Sequence, residues 1–197
     1  MEKSGVGVGD AMKNLYRGTL VRLCSETPET MSKSFVKWDR DSEAHRHGDS
    51  APAQLWSEKK LKEFVDKNDD KQEKSFRFAI RTLADDKMIG VTSLWVQSWA
   101  NSDAWLGIYI GERDHWGKGF GTDAMRLIVQ YGFCELNLRR ITLGLHSYNE
   151  RALKSYLKVG FQMEGRIRQE GLRDGARYDG LYMGLLREEW NALQGAK

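Results

Sequence analysis

A single α/β domain of the α+β type, with helices packed on a mixed and mostly antiparallel sheet, is what this sequence predicts. Two observations carry the prediction. Runs at Ser75–Thr82, Met88–Ser98 and Ala104–Ile110 read as strands and are joined by short connections, as antiparallel neighbours are. Beyond them the rhythm becomes strand, helix, strand, helix, strand, an order that places a parallel pair inside the sheet. The length of 197 residues fits one such domain and suffices to bury a core without staples.

Each element has its own justification. Residues 1–13 carry no periodicity and are expected to form a mobile N-terminal tail, leaving 14–197 as the domain. Leu15–Cys24 reads as a strand, with Leu15, Leu20, Val21 and Leu23 set among arginines. Thr27 suits a helix N-cap, Pro28 its first position and Glu29 its positive end; Met31, Phe35 and Trp38 follow at helical spacing. Asp39–Ala53 is polar, holds Gly48 and Pro52, and reads as a long loop of the kind that is often functional. Ser57 caps a second helix with Leu61, Phe64 and Val65 as its stripe, and Asp66–Lys74 is a charged, exposed run.

Alternation marks Ser75–Thr82 as a strand. Asp85-Asp86-Lys87 turns the chain into Met88–Ser98, and Ala100–Ser102 turns it into Ala104–Ile110. Gly119–Glu135 is helical, with Ala124, Leu127, Ile128 and Tyr131 on one face. Arg140–Leu145 is a short strand, and Asn149–Val159 is helical through Ala152, Leu153, Tyr156 and Leu157. Phe161–Gln169 and Tyr178–Leu186 are strands on either side of the turn Arg173-Asp174-Gly175.

Composition narrows the function classes. Lys plus Arg number 31 against 28 Asp plus Glu, a net charge of +3 with the signs mixed along the chain. Nucleic-acid binders gather their basic residues on one face, and Arg139-Arg140 and Arg166-Ile167-Arg168 are too small for that, so no nucleic-acid partner is expected. Cys24 and Cys134 lack metal or redox spacing and read as reduced core thiols. His45-x-His47 has no carboxylate or cysteine framework, so no metal is expected. No apolar run approaches the roughly 18 residues of a membrane helix, and Met1–Asp10 lacks an apolar leader core. A cytoplasmic protein without a membrane partner is the default expectation. Apolar residues near the C-terminal strands leave monomer and homodimer both open.

The most informative stretch is Trp116-Gly117-Lys118-Gly119-Phe120-Gly121-Thr122, which follows a strand and opens a helix. Glycines allow close backbone approach, and the free N–H groups and dipole of a helix start favour an anion, a pyrophosphate being the natural guest. Nucleotide-binding patterns fit poorly. Between Gly111 and Gly117 stand five residues where a P-loop has four, and Gly119 follows Lys118 where Ser or Thr belongs. The G-x-G-x-G spacing also departs from the dinucleotide fingerprint and comes after three antiparallel-type strands. A kinase or dehydrogenase is therefore disfavoured.

With these residues in view the sequence resembles the GCN5-related N-acetyltransferase (GNAT) superfamily, and within it the ribosomal-protein-alanine acetyltransferase-like branch. Gly119 and Gly121 match the small residues of the superfamily signature [QR]-x-x-G-x-[GA], and Trp116 stands where Gln or Arg is usual. His146–Phe161 carries every fixed residue of the branch pattern N-x-x-A-x-x-x-Y-x-K-x-G-F, and Tyr182–Trp190 is similar to the branch's ending. The likeness spans about Leu20 to Trp190. It implies a twisted sheet with a splayed central parallel strand pair.

The resemblance implies acetyl-coenzyme A as donor and a primary amine as acceptor, a protein N-terminus or a small amine such as a polyamine. It implies direct attack in a ternary complex. The pyrophosphate would lie on Trp116, Gly117, Lys118, Gly119, Phe120, Gly121 and Thr122, mainly on backbone N–H groups, with Lys118 either adding charge or serving solubility. The pantetheine arm would follow Tyr109, Ile110 and Gly111, whose strand N–H groups would polarise the thioester carbonyl. Gly111 would mark a bulge where this strand splays from Arg140–Leu145.

Asn149 and Tyr156 stand two helical turns apart on one face. The resemblance makes Asn149 a pantetheine ligand and Tyr156 the acid that protonates the departing thiolate, a transfer made feasible by reference pKa values of about 8.5 and about 10. On spacing alone Tyr156 is a core aromatic. Trp105 occupies the strand position at which many relatives carry a carboxylate, which leaves the base open among His146, Asp179, water and the carboxylates nearby in sequence, Asp103, Glu112 and Asp114. Trp38, Asp39 and Trp105 are expected near the acceptor, an aromatic face and a carboxylate being suited to a cation. The rival class is a coenzyme A-binding sensor without turnover.

Overall fold

The computed structural model describes residues 14–48, 51–69 and 72–195; the expected tail, residues 1–13, lies outside them. The strands are β1 (Val21–Cys24), β2 (Ser75–Thr82), β3 (Met88–Ser98), β4 (Asp103–Ile110), β5 (Arg140–His146), β6 (Gln162–Arg173) and β7 (Ala176–Leu186). The helices are α1 (Pro28–Asp39), α2 (Ser42–Gly48), α3 (Glu58–Asp69), α4 (Phe120–Cys134), α5 (Glu150–Val159) and α6 (Arg187–Gly195). All seven strands form one sheet in the order β1-β2-β3-β4-β5-β7-β6. Every neighbouring pair is antiparallel except β4 and β5, which are parallel.

α4 supplies the main core. Ala124, Met125, Ile128, Val129 and Phe133 are fully buried against Leu94, Ile141, Leu143 and Met183. Gly132 sets how closely this helix approaches the sheet: a Cβ there would lie 2.9 Å from Ile141 and 3.0 Å from Leu94. A smaller cluster of Met31, Trp38, Val65, Ala79 and Met88 packs α1 and α3 beside the sheet.

The structure corrects the sequence reading in five places. The strand expected over Leu15–Cys24 shortens to Val21–Cys24, because the Asp123 carboxylate of α4 accepts from the backbone N–H groups of Thr19, Leu20 and Val21. The loop expected over Asp39–Ala53 contains α2, whose N-terminus Asp41 caps by accepting from Glu43 and Ala44 N–H at 3.1 Å each. The β6–β7 hairpin runs on to the turn itself. It survives a register shift between Ile167 and Gly171, with Gln169 at φ 56° and its N–H held by Asp179 Oδ1 at 2.8 Å. α6 was not anticipated; Glu189 accepts from Leu186 N–H at 2.8 Å, and Trp190 packs on Phe133. Cys134 is exposed and Cys24 only partly buried, so neither is a fully buried core thiol.

Candidate active site

Beyond Trp105 the two central strands part. β4 pairs with β5 only through Asp103, Ala104 and Trp105, while its other edge stays paired with β3 as far as Ile110. β5 meanwhile follows β7 to His146. Leu106–Ile110 therefore turn an unpaired backbone edge toward the gap, and buried backbone polar groups require partners. The splay begins at Leu106 rather than at Gly111. Gly111 serves packing instead: a Cβ there would stand 2.1 Å from the Trp38 ring.

Two cavities meet at this gap. The first, about 510 Å³, is lined by Tyr109, Ile110, the glycine loop and one face of α5. The second, about 370 Å³, is lined by Trp95, Trp105, His146, Tyr148, Glu170 and Tyr182 among others. His47, Ile108, Asn149 and Tyr156 line both. The junction is thus built from the open strand edge, the start and middle of α5, and the end of α2.

The glycine loop has the local geometry its sequence implies. Gly117 and Gly119 adopt φ of 71° and 91°, left-handed values that favour glycine. Gly119 caps α4 without a side chain, and its carbonyl accepts from Asp123 N–H. Among the described residues no protein acceptor takes the backbone N–H groups of Gly117 to Thr122, so they remain available to an anion. Arg151, Lys154 and Lys158 line the same cavity. The Tyr109 hydroxyl is buried without a partner among the described residues, and burial pushes its pKa well above the ordinary phenol value. Free donors, cations and an orphaned hydroxyl fit a phosphorylated, elongated guest of the acyl-coenzyme A kind.

Trp116 lines this cavity, but its indole N–H donates to the Ile110 carbonyl at 2.7 Å. Asn149 caps α5 by accepting from Ala152 N–H at 3.2 Å, and its amide donates to the His47 carbonyl at 3.1 Å. One amide N–H of Asn149 remains. Tyr156 is 8% exposed, and burial pushes its hydroxyl up to about 12, so it stays protonated at neutral pH. Thr122 and Ser155 hydroxyls lie 2.8 Å apart and tie α4 to α5 along the cavity wall.

The other expected residues separate. Trp105 and His146 line the second cavity, and His146 Nδ1 is buried without a partner among the described residues. Trp105 lies across Gly144, and Trp95 across Gly107; a Cβ on either glycine would come within about 3.1 Å of the facing indole. Trp105 also meets Tyr182 edge-on at 5.9 Å, and the Tyr182 hydroxyl donates to Glu170 at 2.6 Å. Trp38, Asp39 and Asp179 line neither cavity. Trp38 is 2% exposed, with its indole N–H given to Glu112 at 2.9 Å. Asp39 ends α1 near His45. Asp179 is spent on the Gln169 N–H and on an ion pair with Arg166, which together hold its carboxyl below the usual range.

Sequence reasoning missed His47, Glu170 and Arg151. His47 is held at the junction by the Asn149 bond to its carbonyl and by ring contacts to Trp116 and Tyr148. Burial, then the nearby Arg151, lowers its pKa. In the sequence His47 lies in a polar stretch read as a loop, and its spacing from His45 gives no sign of a cleft.

Comparison with known proteins agrees with this geometry. Residues 22–162 match the family described as "Acetyltransferase (GNAT) domain". An uncharacterized N-acetyltransferase, p20, of Bacillus licheniformis is 33% identical over 114 residues, 58% of this chain and 64% of that protein. The spermidine N(1)-acetyltransferase of Escherichia coli (strain K12) is 33% identical over 79 residues, 40% of this chain and 42% of that protein. The match thus spans less than two thirds of the length of these curated relatives. A spermidine N-acetyltransferase from Vibrio cholerae, solved in complex with CoA and spermine, shares the fold with a TM-score of 0.75 at 22% identity, over 87% of this chain and 96% of that one. By the extent of the domain match, the chain belongs to the GNAT acetyltransferase family.

Proposed function

We propose that the protein is an N-acetyltransferase that moves an acetyl group from acetyl-coenzyme A to a primary amine by direct attack in a ternary complex. The observation that supports this best is the meeting of two cavities at the unpaired edge of β4, with Tyr156 lining both. One cavity has the free N–H groups and cations that suit the donor's phosphates. The donor supplies an activated acyl group on a thiol leaving group. Within this reading, the N–H groups that the Leu106–Ile110 edge turns to the gap polarise the thioester carbonyl. The amine nitrogen bonds to the carbonyl carbon as the C–S bond breaks, Tyr156 gives its proton to the departing sulfur, and the proton shed by the amine passes to water.

The second cavity suits the acceptor. Trp95, Trp105 and Tyr182 present aromatic faces and Glu170 a carboxylate, a combination that attracts a cation. The spermidine acetyltransferases among the relatives support a polyamine. The branch motif and a Bacillus subtilis relative named for ribosomal N-acetylation, 32% identical over 108 residues, support a protein N-terminus.

Titration calorimetry with acetyl-coenzyme A tests the donor site. Wild-type protein is expected to bind, and Gly119→Asp, which adds a side chain and a negative charge at φ 91°, is expected to lose binding. Undiminished binding by that variant would remove the glycine loop from the site. The rival sensor reading makes its own demand: Tyr156→Phe would then have no turnover to lose.

A further inference from the structure

The donor cavity holds one cation whose place is fixed while its charge is unspent. The Arg151 guanidinium lies 3.6 Å over the Trp116 ring. Trp116 is itself anchored through its indole N–H to the Ile110 carbonyl and by edge contact with His47. Among the described residues Arg151 makes no ion pair. The carboxylate whose field reaches it, Glu43, is paired with Arg113 at 2.7 Å, and Asp41 is also taken by Arg113. The other cations of the cavity differ. Lys154 reaches toward Glu150, and among the described residues neither Lys154 nor Lys158 rests on an aromatic ring as Arg151 does.

Stacking on an aromatic face leaves the edge of a guanidinium, with its fork of N–H donors, directed outward. Trp116 is the residue immediately before Gly117, so its stacked partner stands at the mouth of the glycine loop, in the cavity with the free N–H groups. A planar fork and a row of backbone donors are complementary to two linked phosphates.

We propose that Arg151, shelved on Trp116, is the side chain that grips the donor's pyrophosphate from the α5 side, opposite the backbone N–H groups of α4. This rests on the acyl-coenzyme A reading of the cavity and adds to it a specific residue and its support. Trp116 acts as a positioning residue, because its own donor is spent on the strand.

The test is calorimetric, with coenzyme A and 3′-dephospho-coenzyme A as probes. Wild-type binding of coenzyme A tests the donor reading by itself; without it, both readings fall. Arg151→Met is expected to weaken both probes about 10- to 100-fold, as loss of a charge-assisted bond would. Trp116→Leu is expected to weaken both by less, and the double variant to be no worse than Arg151→Met. Thermal melting of each variant without ligand checks folding, and Arg151→Lys, which keeps charge without the fork, is expected to fall in between. A change under threefold in Arg151→Met overturns the proposal while leaving the donor site standing. So does a loss confined to coenzyme A and absent with the dephospho form, which would assign Arg151 to the 3′-phosphate. Full additivity of the two substitutions would overturn the shelf.

Discussion

Replacing Glu112 by Gln should destabilise the protein strongly, and in a manner that acid erases. Glu112 follows Gly111 at the end of β4 and is 8% exposed. Its Oε1 accepts from Lys37 Nζ at 2.5 Å and from the Trp38 indole at 2.9 Å, and its Oε2 from Lys87 Nζ at 2.8 Å. Burial alone would raise its pKa, but these three donors outweigh burial and bring it from 4.5 to about 2. That fall corresponds to about 3 kcal/mol of stabilisation of the folded state. A native pKa below the unfolded one stabilises fully above the unfolded value and is lost as pH falls through the folded value. The contribution is therefore complete above about pH 5 and disappears toward pH 2. Urea denaturation of wild type and Glu112→Gln at pH 7, 5 and 3 reads it directly. The expected gap is about 3 kcal/mol at pH 7, narrowing at pH 3, with a Tm shift of about 6–12 °C near neutrality. A gap under about 1 kcal/mol at pH 7, or one that does not narrow in acid, would refute the reasoning. The site would feel the change too, since Gly111 and Glu112 N–H both bond the Ile89 carbonyl just before the chain enters the glycine loop.

Other residues make separate predictions. Tyr156→Phe should cost kcat about 100-fold or more while shifting stability by less than about 1 kcal/mol, because among the described residues the hydroxyl has no hydrogen-bond partner; an unchanged kcat would free Tyr156 from the acid role. His47 has a native pKa below its unfolded value, so it takes up a proton on unfolding; stability should fall as pH drops below about 6.5, and His47→Gln should lack that part of the decline. Parallel stability curves from pH 8 to 5 would contradict this. Gly132→Ala should cost about 1–3 kcal/mol through overpacking against Ile141 and Leu94, measured by thermal melting; a neutral substitution would show that α4 can move off the sheet.

Much of this architecture is legible in local pattern. β2 and β3 have the bounds read from the sequence, β2 from its alternation and β3 from the Asp85-Asp86-Lys87 turn that leads into it. The glycine loop, too, carries its geometry in its residues, because positive φ at Gly117 and Gly119 is a local demand. What escapes the sequence depends on contacts across long separations. The seven residues of α2 look like a loop, and they are held as a helix end by Tyr148 and Asn149, each about a hundred residues away. That docking is also what carries His47 to the junction. Trp38 reads as a cleft aromatic until Gly111, Phe35 and Tyr109 are seen to enclose it. Only the fold shows the Asp123 carboxylate accepting the N–H groups that would otherwise extend β1.

Release of free thiol from acetyl-coenzyme A, followed across polyamines, amino acids, aminoglycosides and peptides of varied N-terminal residue, tests the central claim most directly. The account predicts release above the rate without acceptor for at least one cationic amine, and loss of that release in Tyr156→Phe. Coenzyme A binding with no release beyond the acceptor-free rate for any class would contradict it and favour a sensor.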